Sequence, residues 1–195
     1  MQEKAPIPVD LLDRTKSSPI IEAWFEIAHL KQLYRQGWLK RGISTDVCET
    51  VAEHTFGNAV LCLLLLPQHP ELDASRVLRM AVVHDLAEAY VGDLTPHDNV
   101  AKHEKSRRET EAIEKILGKL PQGGSLLDDW HEYEAQETPE ARFVKQIDRL
   151  ELALQASVYA HQGLIDPTEF YEAARKTASE PSVLSILEAL RHLSE

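Results

Sequence analysis

The most restrictive feature of this sequence is an apolar segment that carries charged and imidazole side chains in its middle. In AVVHDLAEAYVGD (81–93), His84, Asp85 and Glu88 interrupt a run of alanine, valine and leucine. Side chains three and four residues apart share one face of a helix, so these three crowd one patch of a helix that also needs a core. Because burying an unpaired carboxylate is costly, the segment must satisfy it with a hydrogen-bond network, an ion pair or a metal ion.

The rest of the chain has the pattern of helices joined by short connections, and no useful length of it alternates as a strand does. The segment 50–66 is apolar nearly all round beyond residue 58, which predicts a central, buried helix that Pro67 ends. The segment 99–117 is heavily charged and predicts a mostly solvent-facing helix. The predicted helices span residues 19–37, 50–66, 73–90, 99–117, 125–136, 138–163, 166–179 and 181–193.

These patterns predict an all-α, single-domain helical bundle with one core and with its polar site between core helices. A chain of 195 residues is long enough for one such domain. Residues 1–18 contain Pro6 and Pro8 and predict a flexible or loosely docked arm, so that the folded domain comprises residues 19–195.

Charge and cysteine content exclude several classes of function. The formal net charge of −11 disfavours a polymeric nucleic acid as partner, although a metal ion and local arginines can still bind a small anion. Cys48 and Cys62 lie outside any CxxC motif, which predicts a reduced, intracellular chain. The first ten residues lack the apolar core of a signal peptide, and the longest apolar run (60–67) is too short to span a bilayer. We therefore expect a cytoplasmic protein with no membrane partner.

Three predicted core helices each carry side chains of the kind that bind metal ions. His54 lies near the start of one helix, the His84–Asp85 pair lies in the next, and Asp148 lies in a leucine-rich third. Two imidazoles and two carboxylates form a nitrogen and oxygen set that suits Mn, Fe, Co, Ni, Mg or Zn without selecting among them. The set contains no thiolate, which disfavours a structural zinc site of the cysteine type.

Each of these residues also has an ordinary structural explanation. A single buried histidine is more often a satisfied core residue than a ligand, and Asp148 could pair with Arg142, Lys145 or Arg149. The adjacent His84 and Asp85 are harder to explain in this way, because both would have to be satisfied from neighbouring positions of one buried helix. Spacing alone does not decide between the two interpretations.

The order H…HD…D of these residues resembles that of the HD superfamily of metal-dependent phosphohydrolases. The longer stretch HDLAEAYVGDLTP (84–96) looks like the 5′-deoxynucleotidase branch, whose pattern is HD-x-x-E followed by a GD-[LI] loop. The resemblance covers about residues 20–190. Four shorter motifs add to it: GW with a following basic residue (37–41), EH (53–54), KHEKSRRE (102–109) and FVKQIDRLE (143–151).

The resemblance implies that His54, His84, Asp85 and Asp148 bind one divalent metal ion. Such an ion lowers the pKa of a bound water to about 7 and neutralises phosphate oxygens. The metal is one of Co, Mn, Mg, Fe, Ni or Zn, and the sequence does not identify it.

Two further carboxylates match catalytic positions of the family. Glu88 matches the carboxylate that positions or deprotonates the water. Asp93 matches a second carboxylate beside the phosphate, where it would orient water or protonate the leaving 5′ oxygen. Some members of the superfamily are binuclear, so the alternative is that Glu88 and Asp93 bind a second metal ion.

The resemblance also implies substrate contacts. Arg35 and Trp38 resemble an arginine that orients the phosphate and a tryptophan that packs on the sugar. Gln36 and Gly37 separate the two here, whereas they can be adjacent elsewhere, which leaves Arg41 as a rival phosphate ligand. The expected lining of the nucleotide pocket is Asp93, Leu94, Thr95 and Pro96.

The implied function is a metal-dependent 5′-deoxynucleotidase that converts deoxyribonucleoside 5′-monophosphates to deoxynucleoside and phosphate. Relatives of this type are commonly homodimers, and the apolar helix 181–193 would either supply an interface or pack on its own core. The alternatives are another HD phosphohydrolase, acting on a cyclic nucleotide, an alarmone or a triphosphate, and a non-catalytic metal-binding module. Glu88 and Asp93 favour the enzyme, because a purely structural metal site does not need them.

Overall fold

Helices make up the regular structure of residues 1–193, which are the residues that the structure, a computed structural model, describes. Within this range, strand-type pairing is limited to two isolated bridges, so the predicted all-α class is confirmed. No described helix is both long enough and apolar enough to cross a membrane. The helices are α1 (Pro19–Ile27), α2 (Gln36–Leu39), α3 (Val51–Leu65), α4 (Ala74–Val83), α5 (Glu88–Val91), α6 (Lys102–Leu117), α7 (Gly123–Ala135), α8 (Pro139–His161), α9 (Thr168–Thr177) and α10 (Pro181–Leu193).

The chain divides into two compact units, each with its own cluster of buried apolar side chains. The expectation of one core was therefore wrong, because a continuous apolar pattern cannot reveal that its residues join different clusters. Unit 1 comprises Met1–Glu53 and Val83–Trp130, and unit 2 comprises His54–Val82 and His131–Glu195. The apolar cluster of unit 1 includes Leu33, Ile113, Ile116, Leu117 and Trp130. The cluster of unit 2 includes Met80, Phe143, Ile147, Leu150 and Leu187.

The helix predicted over 73–90 is interrupted. It ends at Val83, and α5 begins only at Glu88. In the turns between them, the Leu86 N–H donates to the Val83 carbonyl at 3.1 Å, and the Glu88 N–H donates to the Asp85 carbonyl at 3.0 Å. These contacts span three residues instead of the four of an α-helix, so His84 and Glu88 are not one regular α-helical turn apart as expected.

A glycine with positive φ ends this segment and starts the loop that follows. Gly92 has φ +80°, a left-handed conformation that favours glycine, and its N–H donates to the Glu88 carbonyl at 2.8 Å. The chain therefore leaves α5 sharply, which places Asp93 directly after the turn.

The apolar helix α3 is not buried on all sides. Phe56 is 72% exposed, and Leu63 and Leu64 are also exposed, whereas His54 and Cys62 are fully buried. The prediction of a wholly buried helix was wrong because a helix that is apolar all round gives no sign of which face is covered.

The first predicted helix is shorter than expected, whereas the last one has the predicted bounds. The helix predicted over 19–37 stops at Ile27 and continues as a 3₁₀ turn over Ala28–Lys31. Before it, the Lys4 N–H donates to the Gln32 carbonyl at 2.7 Å. At the other end, α10 buries Val183, Leu187 and Leu190 in the cluster of unit 2, so its apolar face packs on the core of its own unit.

Candidate active site

In unit 1, the break between α4 and α5 brings the His84 and Asp85 side chains together. His84 Nε2 lies 3.3 Å from Asp85 Oδ2. The backbone carbonyl of the buried His84 accepts a hydrogen bond from the Trp130 indole N–H at 3.2 Å. The turn that carries both residues is thereby anchored to α7.

Three carboxylates of unit 1 gather around one guanidinium. Arg35 Nη1 lies 2.7 Å from Asp93 Oδ1 and 3.7 Å from both Asp85 Oδ2 and Glu88 Oε2. The second oxygen of Asp93 accepts the backbone N–H of Gln36 at 2.5 Å. Asp93 is therefore held on both oxygens, one by the Arg35 side chain and the other by the backbone of Gln36, the first residue of α2.

The pKa of the Glu88 carboxyl group is shifted by its surroundings. Burial raises the pKa of Glu88 well above its ordinary value, and the Asp85 and Asp93 carboxylates raise it further. Arg35 opposes this shift, yet its Nη1 atom is beyond hydrogen-bond length from Glu88 Oε2, which accepts no hydrogen bond from the residues that the structure describes. A buried carboxyl group with a raised pKa is suited to taking up and returning a proton.

Other residues that the sequence predicts to contact the substrate have hydrogen-bond partners within the protein. Trp38 is only 1% exposed, and its indole N–H donates to Glu49 Oε1 at 2.6 Å, which makes it a packing residue in this structure. Thr95 accepts a hydrogen bond from the Lys40 ammonium at 2.5 Å. The Arg41 Nη1 group donates to the Gly37 carbonyl at 2.9 Å. Arg35, one of the two arginines considered for the phosphate, lies among Asp85, Glu88 and Asp93.

In unit 2, helices α3 and α8 bring a second His–Asp pair together. His54 of α3 is fully buried, and its Nε2 atom lies 3.2 Å from Oδ1 of Asp148 on α8. The other ring nitrogen, Nδ1, lies 2.6 Å from Oε2 of Glu151. Sequence reasoning missed Glu151, although its position three residues after Asp148 puts both carboxylates on one face of a helix.

The second oxygen of Asp148 has its own polar partners. Oδ2 accepts hydrogen bonds from the Lys145 ammonium at 3.1 Å and from the Tyr133 hydroxyl at 3.4 Å. Lys145 also donates to the Tyr133 hydroxyl oxygen at 2.9 Å. The pairing of Asp148 with Lys145 that the sequence offered as an alternative is therefore present, but it uses the oxygen that does not face His54.

The chemistry of these donors fits a divalent cation. Metal–ligand bonds of about 2.0–2.2 Å place neighbouring ligand atoms about 3.0–3.4 Å apart. The two Nε2-to-carboxylate distances, 3.3 Å in unit 1 and 3.2 Å in unit 2, fall in this range. His54, His84 and Asp85 are among the described residues suited to holding a metal ion.

Known proteins share both the sequence and the fold. Residues 27–188 match the family model described as HD domain. The chain is 37% identical to the 5′-deoxynucleotidase HDDC2 of Bos taurus over 170 residues, which are 84% of this chain and 80% of that protein. It is 38% identical to the 5′-deoxynucleotidase hdd1 of Schizosaccharomyces pombe over 154 residues, 76% of each protein.

Solved structures of other proteins have a similar fold. A protein from Pyrococcus horikoshii matches with a TM-score of 0.74 and 30% identity, over 89% of this chain and 99% of that one. A structure described as a predicted metal-dependent phosphohydrolase from Magnetospirillum magnetotacticum matches with a TM-score of 0.68 and 27% identity, over 90% and 93% of the two chains.

Proposed function

The chain belongs to the HD domain family, and we propose that it is a metal-dependent 5′-deoxynucleotidase acting on deoxyribonucleoside 5′-monophosphates. The observation that carries the proposal is the cluster of unit 1, in which Asp85, Glu88 and Asp93 surround Arg35. This cluster combines a group that can move a proton with a cation that can bind phosphate. The identity to curated 5′-deoxynucleotidases over most of the chain supports the same reaction.

We propose His54, His84, Asp85 and Asp148 as the ligands of one divalent ion. The ion, when bound, supplies a water of lowered pKa and neutralises charge on the phosphate. The two His–carboxylate distances support this ligand set, because both match neighbouring positions around an ion. The donor types leave Co, Mn, Mg, Fe, Ni and Zn as candidates.

In the proposed reaction, Glu88 accepts the proton of the attacking water. Its burial, together with Asp85 and Asp93, raises the pKa of Glu88, so the carboxylate is a better base than an exposed one. Glu88 would thus hold the proton while the bond between phosphorus and the 5′ oxygen breaks. If the enzyme is binuclear, Glu88 and Asp93 are instead ligands of the second ion.

Arg35 is proposed to bind the phosphate, and Asp93 to hold Arg35 in place. A guanidinium has five N–H donors, so the contact of Nη1 with Asp93 leaves donors for phosphate oxygens. Asp93 would also orient water or protonate the leaving 5′ oxygen. Leu94, Thr95 and Pro96 follow Asp93 and are proposed to line the nucleotide pocket, whereas the buried Trp38 packs inside unit 1.

A homodimer in the cytoplasm is the proposed state of the protein. The exposed apolar residues Phe56, Leu63 and Leu64 of α3 support an interface with a second copy, because large apolar side chains rarely cluster at a solvent-facing surface without a partner. Light scattering of the full chain in solution measures this state directly.

The activity is tested by phosphate release from dAMP, AMP, dATP and a cyclic nucleotide. Chelator-stripped protein should release little phosphate until Co²⁺, Mn²⁺, Mg²⁺ or Zn²⁺ is added, and then from monophosphates, faster from dAMP than from AMP. Release from dATP or the cyclic ester alone would move the protein to another HD branch. No release with any metal would favour the non-catalytic metal-binding module.

A further inference from the structure

His54 and Glu151 form a buried pair in unit 2. The two side chains are 0% and 9% exposed, and His54 Nδ1 lies 2.6 Å from Glu151 Oε2. A neutral imidazole has one N–H donor and one acceptor nitrogen, whereas a carboxylate only accepts. The short contact therefore holds a proton on Nδ1, and the electron pair of the neutral ring then lies on Nε2, the nitrogen that faces Asp148.

The two nitrogens of an imidazole point away from each other, so the two carboxylates of α8 contact different sides of the His54 ring. Asp148 lies on the Nε2 side, and Glu151 lies on the Nδ1 side. Of these two carboxylates, only Asp148 can share an ion bound at Nε2. Glu151 has the position of a group that acts on the metal site through the ring.

Gly57, on the same helix as His54, provides the space for this carboxylate. A Cβ atom at position 57 would lie 2.6 Å from Glu151 Oε1 and 3.2 Å from its Cδ and Cγ. A glycine inside a helix is less favourable than alanine, so the helix alone does not explain this residue. The close approach of Glu151 gives it a physical reason.

We infer that Glu151 is a positioning residue of the metal centre, which holds the Nδ1 proton of His54 and thereby presents Nε2 to the ion, and that Gly57 is required for this contact. The inference rests on the proposed function, because it concerns the same metal ligands. Metal-bound histidines commonly donate their other ring N–H to a carboxylate, which fixes the tautomer and makes the ring a stronger ligand.

The experiment measures metal affinity and not only activity. Co²⁺ is titrated into the chelator-stripped full chain and followed by its absorption spectrum. Glu151→Ala should weaken Co²⁺ binding about 10- to 100-fold, the range typical of such supporting groups. Gly57→Ala should weaken it in the same direction, because the added methyl displaces the carboxylate. Glu151→Gln should lose less, because its amide oxygen still accepts the Nδ1 proton.

Two matched controls separate this role from a general effect on the fold. Glu140→Gln changes another buried carboxylate of α8, which accepts the Asp73 N–H at 3.1 Å. Gly124→Ala adds a methyl to a helical glycine that has no neighbouring atom within 4 Å of the new carbon. Both should bind Co²⁺ as the wild type does. In Zn²⁺-loaded protein labelled with ¹⁵N-histidine, the Nδ1 proton of His54 should be shifted downfield in the wild type and not in Glu151→Ala.

Unchanged Co²⁺ affinity in the folded Glu151 and Gly57 variants would overturn the inference, and so would a wild type that binds neither metal. A lower melting temperature with unchanged affinity would assign Glu151 to the fold alone and overturn it too. If Glu151→Ala does not fold, Glu151→Gln and Gly57→Ala decide. Weakened binding in a protein without nucleotidase activity would support the inference and refute the proposed function, whereas unchanged binding in an active nucleotidase would do the reverse.

Discussion

His84 and Asp85 of unit 1 are neighbours in the chain, whereas His54 and Asp148 of unit 2 come from two helices, α3 and α8. The Nε2-to-carboxylate distance is nevertheless almost the same, 3.3 Å in the first pair and 3.2 Å in the second. One pair is formed by a break in a helix, and the other by the packing of uninterrupted helices.

The surroundings of the two pairs differ more than their geometry. Near Asp85, two more carboxylates and one guanidinium share a small volume, and the pKa of Glu88 is raised. Near Asp148, a lysine and a tyrosine stabilise the carboxylate by direct hydrogen bonds. We infer that the pair of unit 1 is surrounded by groups that can act on a substrate. The pair of unit 2 is instead fixed in position by the hydrogen bonds to Asp148.

The largest effect is expected when the aspartate of either pair is removed, and it should be similar for both pairs. Asp85→Ala and Asp148→Ala should each abolish metal-dependent phosphate release and weaken Co²⁺ binding by more than about 100-fold, because a direct ligand matters more than a supporting group. Titration of the chelator-stripped variants measures this. If one variant binds Co²⁺ normally, the two pairs do not share one ion and the comparison fails.

Glu88→Gln should affect catalysis without affecting metal binding. Loss of a general base lowers kcat about 10²- to 10⁴-fold. Steady-state kinetics with dAMP, next to a Co²⁺ titration, separates the two effects. A variant that loses Co²⁺ affinity together with kcat would instead support Glu88 as a ligand of a second ion.

The same variant has a predicted pH signature in the metal-free protein. Since burial and the Asp85 and Asp93 carboxylates raise the pKa of Glu88, the folded state binds a proton that the unfolded state has lost above pH 4.5. The free energy of unfolding of the wild type should therefore fall, relative to Glu88→Gln, as the pH rises from 4.5 through the raised pKa. Equal stability of the two proteins at every pH would contradict the shift.

Arg35→Lys tests the substrate-binding part of unit 1. Loss of the forked guanidinium should raise the KM for dAMP about 10- to 100-fold, the range for hydrogen bonds to a charged group. Arg41→Lys is the matched control and should leave KM near the wild-type value, because Arg41 contacts the Gly37 carbonyl. The opposite result would make Arg41 the phosphate ligand.

The smallest effect is expected in the surroundings of Asp148. Tyr133→Phe removes one hydroxyl, which donates to Asp148 and accepts from Lys145. Loss of one such hydrogen bond should weaken Co²⁺ binding about threefold to tenfold. If Tyr133→Phe lost as much Co²⁺ affinity as Asp148→Ala, Asp148 would depend on the Tyr133 hydroxyl far more than one hydrogen bond explains.

Sequence patterns were sufficient for the helical class and for most helices, because periodicity and proline positions record these directly. They failed at the break over 84–87, where apolar residues continue through the turn, and at Phe56, where an all-round apolar helix hides its exposed face. The candidate ligands were found from a motif, whereas Glu151 and Gly57 were missed because their roles depend on the packing of α3 on α8.

The most direct test of the central claim is phosphate release from dAMP by chelator-stripped protein before and after addition of Co²⁺, with wild type and Asp85→Ala measured side by side. We predict release only from the wild type and only with the metal. Release by metal-free wild type, or full release by Asp85→Ala with its fold intact, would contradict a metal-dependent reaction at this site.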